Sequence, residues 1–150
     1  MIRSDAELEE VRAKLQEQDA RIVTYRGELE RDGLHDIDVE RALDPLRTFA
    51  RQLRASIDQY ERVRRGELPS VTSLDDLGPA LVAARVAAGV TQRELAVRLG
   101  VHESQVSRDE KNDYHGATIE RASKVLATIG VRFRGTLSLE TIVASEGREL

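Results

Sequence analysis

The sequence predicts a mainly α-helical fold, in which an N-terminal helical hairpin precedes a compact helical domain, with a short β-strand or an irregular tail at the C-terminus. Two observations carry most of this prediction. Apolar residues recur three and four positions apart through most of the 150-residue chain, which is the spacing of one helix face. Three prolines, ten glycines and 3% aromatic residues are too few for a turn-rich β-sandwich. A charged fraction of 33% is ordinary for a chain rich in helices and high for a compact enzyme.

The composition also excludes several kinds of site. There is no cysteine, which excludes disulfides, thiolate catalysis, zinc fingers and iron–sulfur ligation. His35, His102 and His115 do not have the spacing of ligands on a helix, so we expect no metal and no cofactor. No nucleotide-binding loop or nucleophile elbow is present, and we expect no enzymatic activity. No apolar run approaches the roughly 20 residues of a membrane span, and the N-terminus lacks a signal-peptide core, so we expect a cytoplasmic protein without a membrane partner.

A heptad pattern predicts the first helix. Its apolar positions are separated by three and four residues, and Gln18 occupies the seam position where an apolar residue is missing. Ser4, with Glu7 three residues later, reads as a capping box at its start. The seam consists of Leu8, Val11, Leu15, Ile22, Tyr25 and Leu29.

A second apolar stripe predicts a helix that ends at Gly66. It comprises Leu46, Ala50, Leu53, Ile57 and Tyr60. Asp44 and Pro45 suit the N-cap and the first helical position, so we expect the helix to begin there, with a short helical turn in 37–43 before it. The polar segment around Gly33 reads as the connecting loop. Neither helix can bury its stripe alone; the two could pack on each other, on the second domain, or on a partner chain in a dimer.

Capping residues and glycines divide the rest of the chain. We predict a hairpin over 1–66, a linker over 67–73, a helical domain over 74–131 and a strand or tail over 132–150. Ser73 with Asp76 forms a second candidate capping box, and the next helix either starts at Pro79 or bends there. The alternating tail from Val131 to Leu139 favours a strand, although residues 138–144 could instead form a short helix.

The pattern of residues 91–108 predicts two short helices that cross at a wide angle. Thr91 caps the first helix, Ala96 is small enough for close approach, and Gly100 permits the turn. Val101 and Val106 then fill the space between the helices. This leaves the second helix, from about Glu103 to Lys111, with an outer face of small or polar residues short enough to enter a major groove.

These residues resemble a known family. Thr-Gln-x-Glu-Leu-Ala-x-x-Leu-Gly-Val at 91–101, followed by Gln-Val-Ser-Arg at 105–108, is similar to the xenobiotic-response-element family of helix-turn-helix domains, typified by the phage lambda Cro and repressor proteins. The resemblance covers roughly residues 77–131. It implies a lambda-repressor-like fold and a double-stranded DNA operator as partner. A helical segment before such a domain is also similar to bacterial regulators and, more loosely, to antitoxins of the host-inhibition-of-growth type.

The resemblance implies roles for individual residues. Base-reading positions are occupied by Glu103, Ser104 and Arg108, with Ser107 on the same face. Contacts to phosphate or its surroundings are implied for Thr91, Gln92, His102 and Lys111. Arg85 and Glu110 match a family pair that forms a partly buried, structural salt bridge.

The charge of the predicted recognition helix weakens the expected binding. Residues 102–113 contain four acidic residues against Arg108 and Lys111, and non-specific DNA affinity is mainly electrostatic. We therefore expect a homodimer that engages two half-sites. Asp109 stands where the family usually has an apolar core residue, so we expect it either to pair with Arg121 or Lys124 or to lie on a frayed helix end.

The leading interpretation is a dimeric, sequence-specific repressor of transcription, located in the bacterial cytoplasm and on the nucleoid when bound to DNA. The alternative is an antitoxin that neutralises a toxin protein through residues 1–70 or 136–150 and represses its own operon. A third interpretation is an inherited scaffold that binds only protein. Tyr114, just after the recognition helix, is expected to pack on the core rather than to stack on a base.

Overall fold

A computed structural model describes residues 1–136, and within this range it contains six α-helices and one short 3₁₀ turn. The elements are α1 (Asp5–Arg31), α2 (Asp36–Arg64), the 3₁₀ turn (Leu74–Asp76), α3 (Leu77–Ala87), α4 (Gln92–Leu99), α5 (Glu103–Lys111) and α6 (Ile119–Ile129). The predicted fold class, a helical hairpin followed by a helix-turn-helix arrangement, is confirmed. None of these helices combines the length and the apolar character needed to cross a membrane.

Helix α1 begins where its capping residue predicts. The Ser4 hydroxyl accepts a hydrogen bond from the Glu7 backbone N–H at 3.2 Å. The Glu7 carboxylate in turn accepts from the backbone N–H of Arg3 at 2.8 Å, so the second bond of the predicted capping box goes to the residue before Ser4. This bond ties the N-terminal segment to the first turn of the helix.

Helix α2 begins at Asp36, with His35 as N-cap, and not at Pro45 as predicted. The reason is burial: Val39 is 1% exposed and Leu43 is fully buried, and both pack with Leu29 of α1. Pro45 lies inside the helix with its ring on an exposed face. It removes one backbone donor, and the apolar contacts made by the preceding two turns outweigh this loss.

The two long helices pack on each other. At the loop end, Ile22 and Leu46 join the apolar cluster of Leu29, Val39 and Leu43. Further along the seam, the side chain of Gln18 is buried and donates to the backbone carbonyl of Leu46 at 3.2 Å. The polar residue in the heptad seam is therefore satisfied by α2.

The open end of the hairpin packs on α3. Ala83 and Val86 of α3 share one apolar cluster with residues from α1, α2 and the N-terminal segment. Those hairpin residues are Ile2, Leu8, Tyr60 and Val63. The Tyr60 hydroxyl donates to Asp5 at 2.9 Å, and burial, together with this hydrogen bond, raises the pKa of Tyr60 to about 12.

Helices α3 to α6 enclose a separate apolar core. Its buried members are Leu81, Val82, Ala84, Val90, Leu95, Ala96, Leu99, Val106, Tyr114, Ala122, Val125 and Ile129. Helix α3 begins at Leu77, two residues before Pro79, so this proline sits in the first turn, where a backbone N–H has no partner within the helix. Gly78 is required there, because a β-carbon would lie 1.8 Å from the backbone oxygen of Asp113.

The segment that follows α6 does not form the predicted strand over the residues that can be described. Gly130 ends α6 in the left-handed conformation, with φ of 75°, and residues 131–136 have no regular secondary structure. The remainder of the predicted strand, through Leu139, and the alternative helix over 138–144 lie outside the described residues.

Candidate nucleic-acid interface

Local signals set the start of α4 and the turn that follows it. Thr91 and Glu94 form a reciprocal capping box: the Thr91 hydroxyl accepts from the Glu94 N–H at 3.1 Å, and the Glu94 carboxylate accepts from the Thr91 N–H at 2.7 Å. The Thr91 backbone N–H and hydroxyl together hold the pKa of Glu94 below its ordinary value of 4.5. Gly100 then adopts φ of 69°, a left-handed conformation that turns the chain towards α5.

Helix α5 has a buried inner face and an exposed outer face. Val106 and Glu110, one turn apart, are completely buried. The outer face carries Glu103, Ser104 and Arg108, which are exposed, and Ser107, which is partly exposed. The predicted base-reading residues therefore share one accessible surface.

The inner face of α5 is fixed by an ion pair with α3. Arg85 and Glu110 form a bidentate pair in which Nη2 of Arg85 lies 2.7 Å from Oε2 of Glu110 and Nε contacts Oε1. Both side chains are almost fully buried, at 3% and 0% exposure. Nη1 of Arg85 also donates to the carbonyl of Val90 at 2.7 Å. The pair thus joins α3, the turn after it and the end of α5.

Two further residues complete this network. The side-chain amide of Gln92 donates to Oε2 of Glu110 at 2.7 Å, so the residue expected at phosphate also supports the ion pair. The N-terminal segment closes the other side: Arg85 donates to the carbonyl of Arg3 at 2.9 Å, and Nε of Arg3 donates to the carbonyl of Glu110 at 3.2 Å. No local pattern in the sequence indicates Arg3, because its partners lie 82 and 107 positions away.

Asp109 has a basic partner. Its carboxylate accepts from Arg121 of α6 at 3.0 Å and from Gln105 at 2.7 Å, and its side chain is 18% exposed. The expected alternative, a helix end frayed outward, does not occur, because α5 continues to Lys111. One negative charge of α5 is therefore balanced within the protein.

The remaining predicted residues lie at the ends and on the outer face of α5. His102 is the N-cap: its Nδ1 accepts from the Ser104 backbone N–H at 3.3 Å. Arg108 lies along its own helix, donating to the Ser104 carbonyl at 3.3 Å and to the Gln105 side chain at 3.2 Å. Among the described residues it has no carboxylate partner. Lys111, the last residue of α5, is exposed.

Tyr114 follows α5 and packs into the core at 7% exposure, as expected. Its burial, together with the nearby carboxylates of Glu110 and Asp109, raises the pKa of its hydroxyl. Tyr114 and Asp113 have positive φ angles of 54° and 47°, which form the turn that passes over Gly78. The aromatic ring is thus unavailable for stacking on a base.

The family comparison matches the part of the chain that carries this geometry. Residues 81–135 match the family model described as helix-turn-helix. The chain carries a helix-turn-helix domain of the xenobiotic-response-element type. This is a DNA-binding domain of transcription regulators. The helix-turn-helix match includes α4, α5 and α6 and leaves the N-terminal hairpin outside it.

No curated protein and no solved structure matches the chain. The assignment of the helix-turn-helix domain therefore rests on the family match and on the geometry of α4 and α5. Within residues 1–136 no cluster of three or more histidine or acidic side chains is arranged to hold a metal ion.

Proposed function

We propose that the protein is a sequence-specific repressor that binds operator DNA as a homodimer and reads the major groove with α5. The observation that carries this proposal is the exposed outer face of α5 on a domain of the helix-turn-helix family. Arg108 would donate to guanine, and Glu103, Ser104 and Ser107 would meet neighbouring base edges. The protein would act on the nucleoid in the bacterial cytoplasm.

A second group of residues would position the domain on the DNA backbone. Thr91, His102 and Lys111 are exposed around the outer face of α5, at the start of α4 and at the two ends of α5. Gln92 is partly exposed and has one amide N–H engaged with Glu110, which leaves its second N–H for a phosphate oxygen. Such contacts fix the orientation of the reading helix without carrying sequence information.

An exposed apolar groove supports the proposal that two copies of the chain associate. Leu74 and Ile119 are each 77% exposed and line one groove together with Phe133, which is 49% exposed. Large apolar side chains gathered in this way mark protein contacts more often than isolated ones do. A dimer would also double the contacts of a reading helix that carries little positive charge.

A second candidate function is an antitoxin that neutralises a toxin protein and represses its own operon. It is favoured by the exposed apolar side chains of the hairpin, where Val23 is 72% and Ile37 is 69% exposed. Co-expression with the product of the neighbouring gene distinguishes the two candidates. A stoichiometric complex of the two proteins would support the antitoxin, and its absence would leave the repressor as the proposed function.

The proposal is tested by selecting the DNA fragments that the purified protein retains from a random pool. The wild-type protein should enrich a sequence with two related half-sites. Arg108→Ala should lose roughly 1–3 kcal/mol on that sequence and relax the preference at one base pair of each half-site. Lys111→Ala, as the matched comparison, should weaken binding to all sequences by a similar factor, because Lys111 is exposed and takes no part in the buried ion pair.

Two results would contradict the proposed reading helix. One is a wild-type protein that retains no DNA even at low salt. The other is an Arg108→Ala variant that is folded and binds with unchanged affinity and unchanged base preference. Circular dichroism of each variant shows whether its helices are intact.

A further inference from the structure

The hairpin and the helix-turn-helix domain enclose a cleft beside the predicted DNA-binding residues. The cleft has a volume of about 340 Å³. Its lining includes Arg3 and Arg64 from the hairpin region, Arg93 from α4, and the predicted DNA contacts Thr91, Gln92 and Glu103. Two residues that lie outside the helix-turn-helix match therefore face the same space as residues expected to touch DNA.

Charged donors in this cleft are available to a ligand. Among the described residues, Arg64 and Arg93 take part in no ion pair and are exposed. The arginines beside Arg64 differ: Arg62 of α2 pairs with Asp58 at 3.2 Å, and Arg65, the C-cap of α2, pairs with Glu67 at 3.4 Å. Within residues 1–136, Arg64 is thus the one of these three arginines that has no carboxylate partner.

The net charge of the cleft also depends on Arg3 and on two carboxylates. Arg3 uses Nε for the carbonyl of Glu110, which leaves its two terminal nitrogens for another acceptor. Asp5 accepts from the Tyr60 hydroxyl at 2.9 Å, and Glu103 belongs to the outer face of α5. Arg85, which also lines the cleft, is neutralised by Glu110. Three arginines therefore face two carboxylates, an excess of positive charge.

We propose that Arg64, together with Arg3 and Arg93, binds the phosphate backbone of DNA beside the groove read by α5. This inference rests on the proposed function, because it takes Thr91, Gln92 and Glu103 as the DNA-facing residues. Guanidinium groups match phosphate oxygens through paired donors. Residues 1–70 hold 13 basic and 16 acidic residues, so their net charge is negative. At the cleft, however, Arg3 and Arg64 supply positive charge that α5 lacks.

The test compares how the DNA affinity of single variants of the full chain depends on salt. Arg64 is the residue to change, because none of its side-chain nitrogens takes part in the ion-pair network around Glu110. Arg64→Gln should reduce the slope of log affinity against log salt by about 0.9, the value for one lost phosphate contact on duplex DNA. The loss should be the same on the selected and on random sequences, because phosphates carry no base information. Arg64→Lys should retain the wild-type slope, since an ammonium also neutralises a phosphate.

Arg51→Gln is the matched control. It removes the same charge from α2, but Arg51 lies about 20 Å earlier along the helix and does not line the cleft. Its slope should equal that of the wild type. Thermal unfolding of both variants establishes that they are folded at the binding temperature.

The outcomes separate this inference from the proposed function. A wild-type protein that binds no DNA would overturn both. If the wild type binds with a base preference that depends on Arg108, but Arg64→Gln and Arg51→Gln have the same slope, only the contribution of the cleft is overturned. A reduced slope for Arg64→Gln that Arg64→Lys restores supports it.

Discussion

At the scale of single residues, Glu110 links three distant parts of the chain, which no sequence pattern around it indicates. Its carboxylate meets Arg85 of α3 and Gln92 of α4, and its backbone carbonyl meets Arg3. A buried charge that loses its partner remains desolvated without compensation, so breaking such a pair costs more than an exposed pair contributes. The position of α5 therefore depends on a network that reaches α3, α4 and the N-terminal segment.

The first prediction at this scale concerns the buried pair. Arg85→Ala and Glu110→Ala should each lower the free energy of unfolding by about 3–5 kcal/mol. The double variant should cost less than the sum, because the second change removes a charge that the first left unpaired. Denaturant unfolding of the four proteins measures the cycle, and strict additivity would contradict an interaction between the two residues.

An exposed pair provides the control for this cycle. Arg41 and Asp38 lie 3.4 Å apart on α2, with side chains 76% and 48% exposed. Their cycle should give a coupling of less than about 1 kcal/mol. If either single variant of the buried pair fails to fold, replacing both residues with Arg85→Met and Glu110→Leu should restore a folded protein, because apolar groups of similar volume leave no buried charge.

At the scale of elements, local capping determines where most of the helices in the DNA-binding domain begin. Thr91 and Thr118 are the N-caps of α4 and α6, and in each case the hydroxyl accepts from the backbone N–H three residues later. Both N-caps can be predicted from the sequence, because the hydroxyl acceptor and the N–H donor lie within one helical turn of each other. The capping box at α4 also makes the helix sensitive to pH.

Glu94→Ala should destabilise the protein at neutral pH and lose its effect in acid. Hydrogen bonds from Thr91 hold the pKa of Glu94 below 4.5 in the folded state. In the unfolded state the carboxyl takes up a proton at its ordinary pKa, so the unfolded state binds more protons between the two values. The stabilisation is therefore complete above pH 4.5 and is lost as the pH falls through the folded pKa.

Denaturant unfolding of wild type and Glu94→Ala at a series of pH values measures this effect. The difference in unfolding free energy should shrink steadily on acidification. Glu120→Ala is the control, because Glu120 lies in the first turn of α6 and is exposed, but it forms no capping box. A difference for Glu94→Ala that is independent of pH would contradict the role of its carboxylate.

At the scale of the whole molecule, the hairpin and the DNA-binding domain share apolar contacts. Ile2, Leu8, Tyr60 and Val63 pack with Ala83 and Val86 of α3. The apolar groove of Leu74, Ile119 and Phe133 lies elsewhere, and no other part of residues 1–136 covers these side chains. The apolar residues of the hairpin that meet α3 are therefore buried within one chain, whereas the groove offers a separate face for the proposed dimer contact.

The corresponding prediction is that the purified protein is a dimer. Light scattering at micromolar concentration should give twice the mass of one chain, and Ile119→Glu should shift it to a monomer by placing a charge in the groove. Val97→Glu is the control, because Val97 is 74% exposed and does not line the groove. A monomeric wild type would contradict the dimer, and a dimeric Ile119→Glu would place the interface elsewhere.

The sequence by itself determined the helical class and most of the domain that carries α4 and α5. Thr91, Gly100, Thr118 and Gly130 act through partners within a few residues, and apolar spacing indicates which helix face is buried. The same local information indicated the outer face of α5. Its assignment to base reading came from the family resemblance and stays a prediction.

Only the tertiary structure decided which distant groups meet. Helix α2 begins at Asp36, before Pro45, because Val39 and Leu43 pack against Leu29 of α1. Asp109 is neutralised by Arg121 rather than exposed on a frayed end, and Arg3 reaches a carbonyl 107 positions away. The physical reason is that burial and ion pairing depend on where the folded chain brings its segments together, whereas capping and turn formation depend on bonds within one turn.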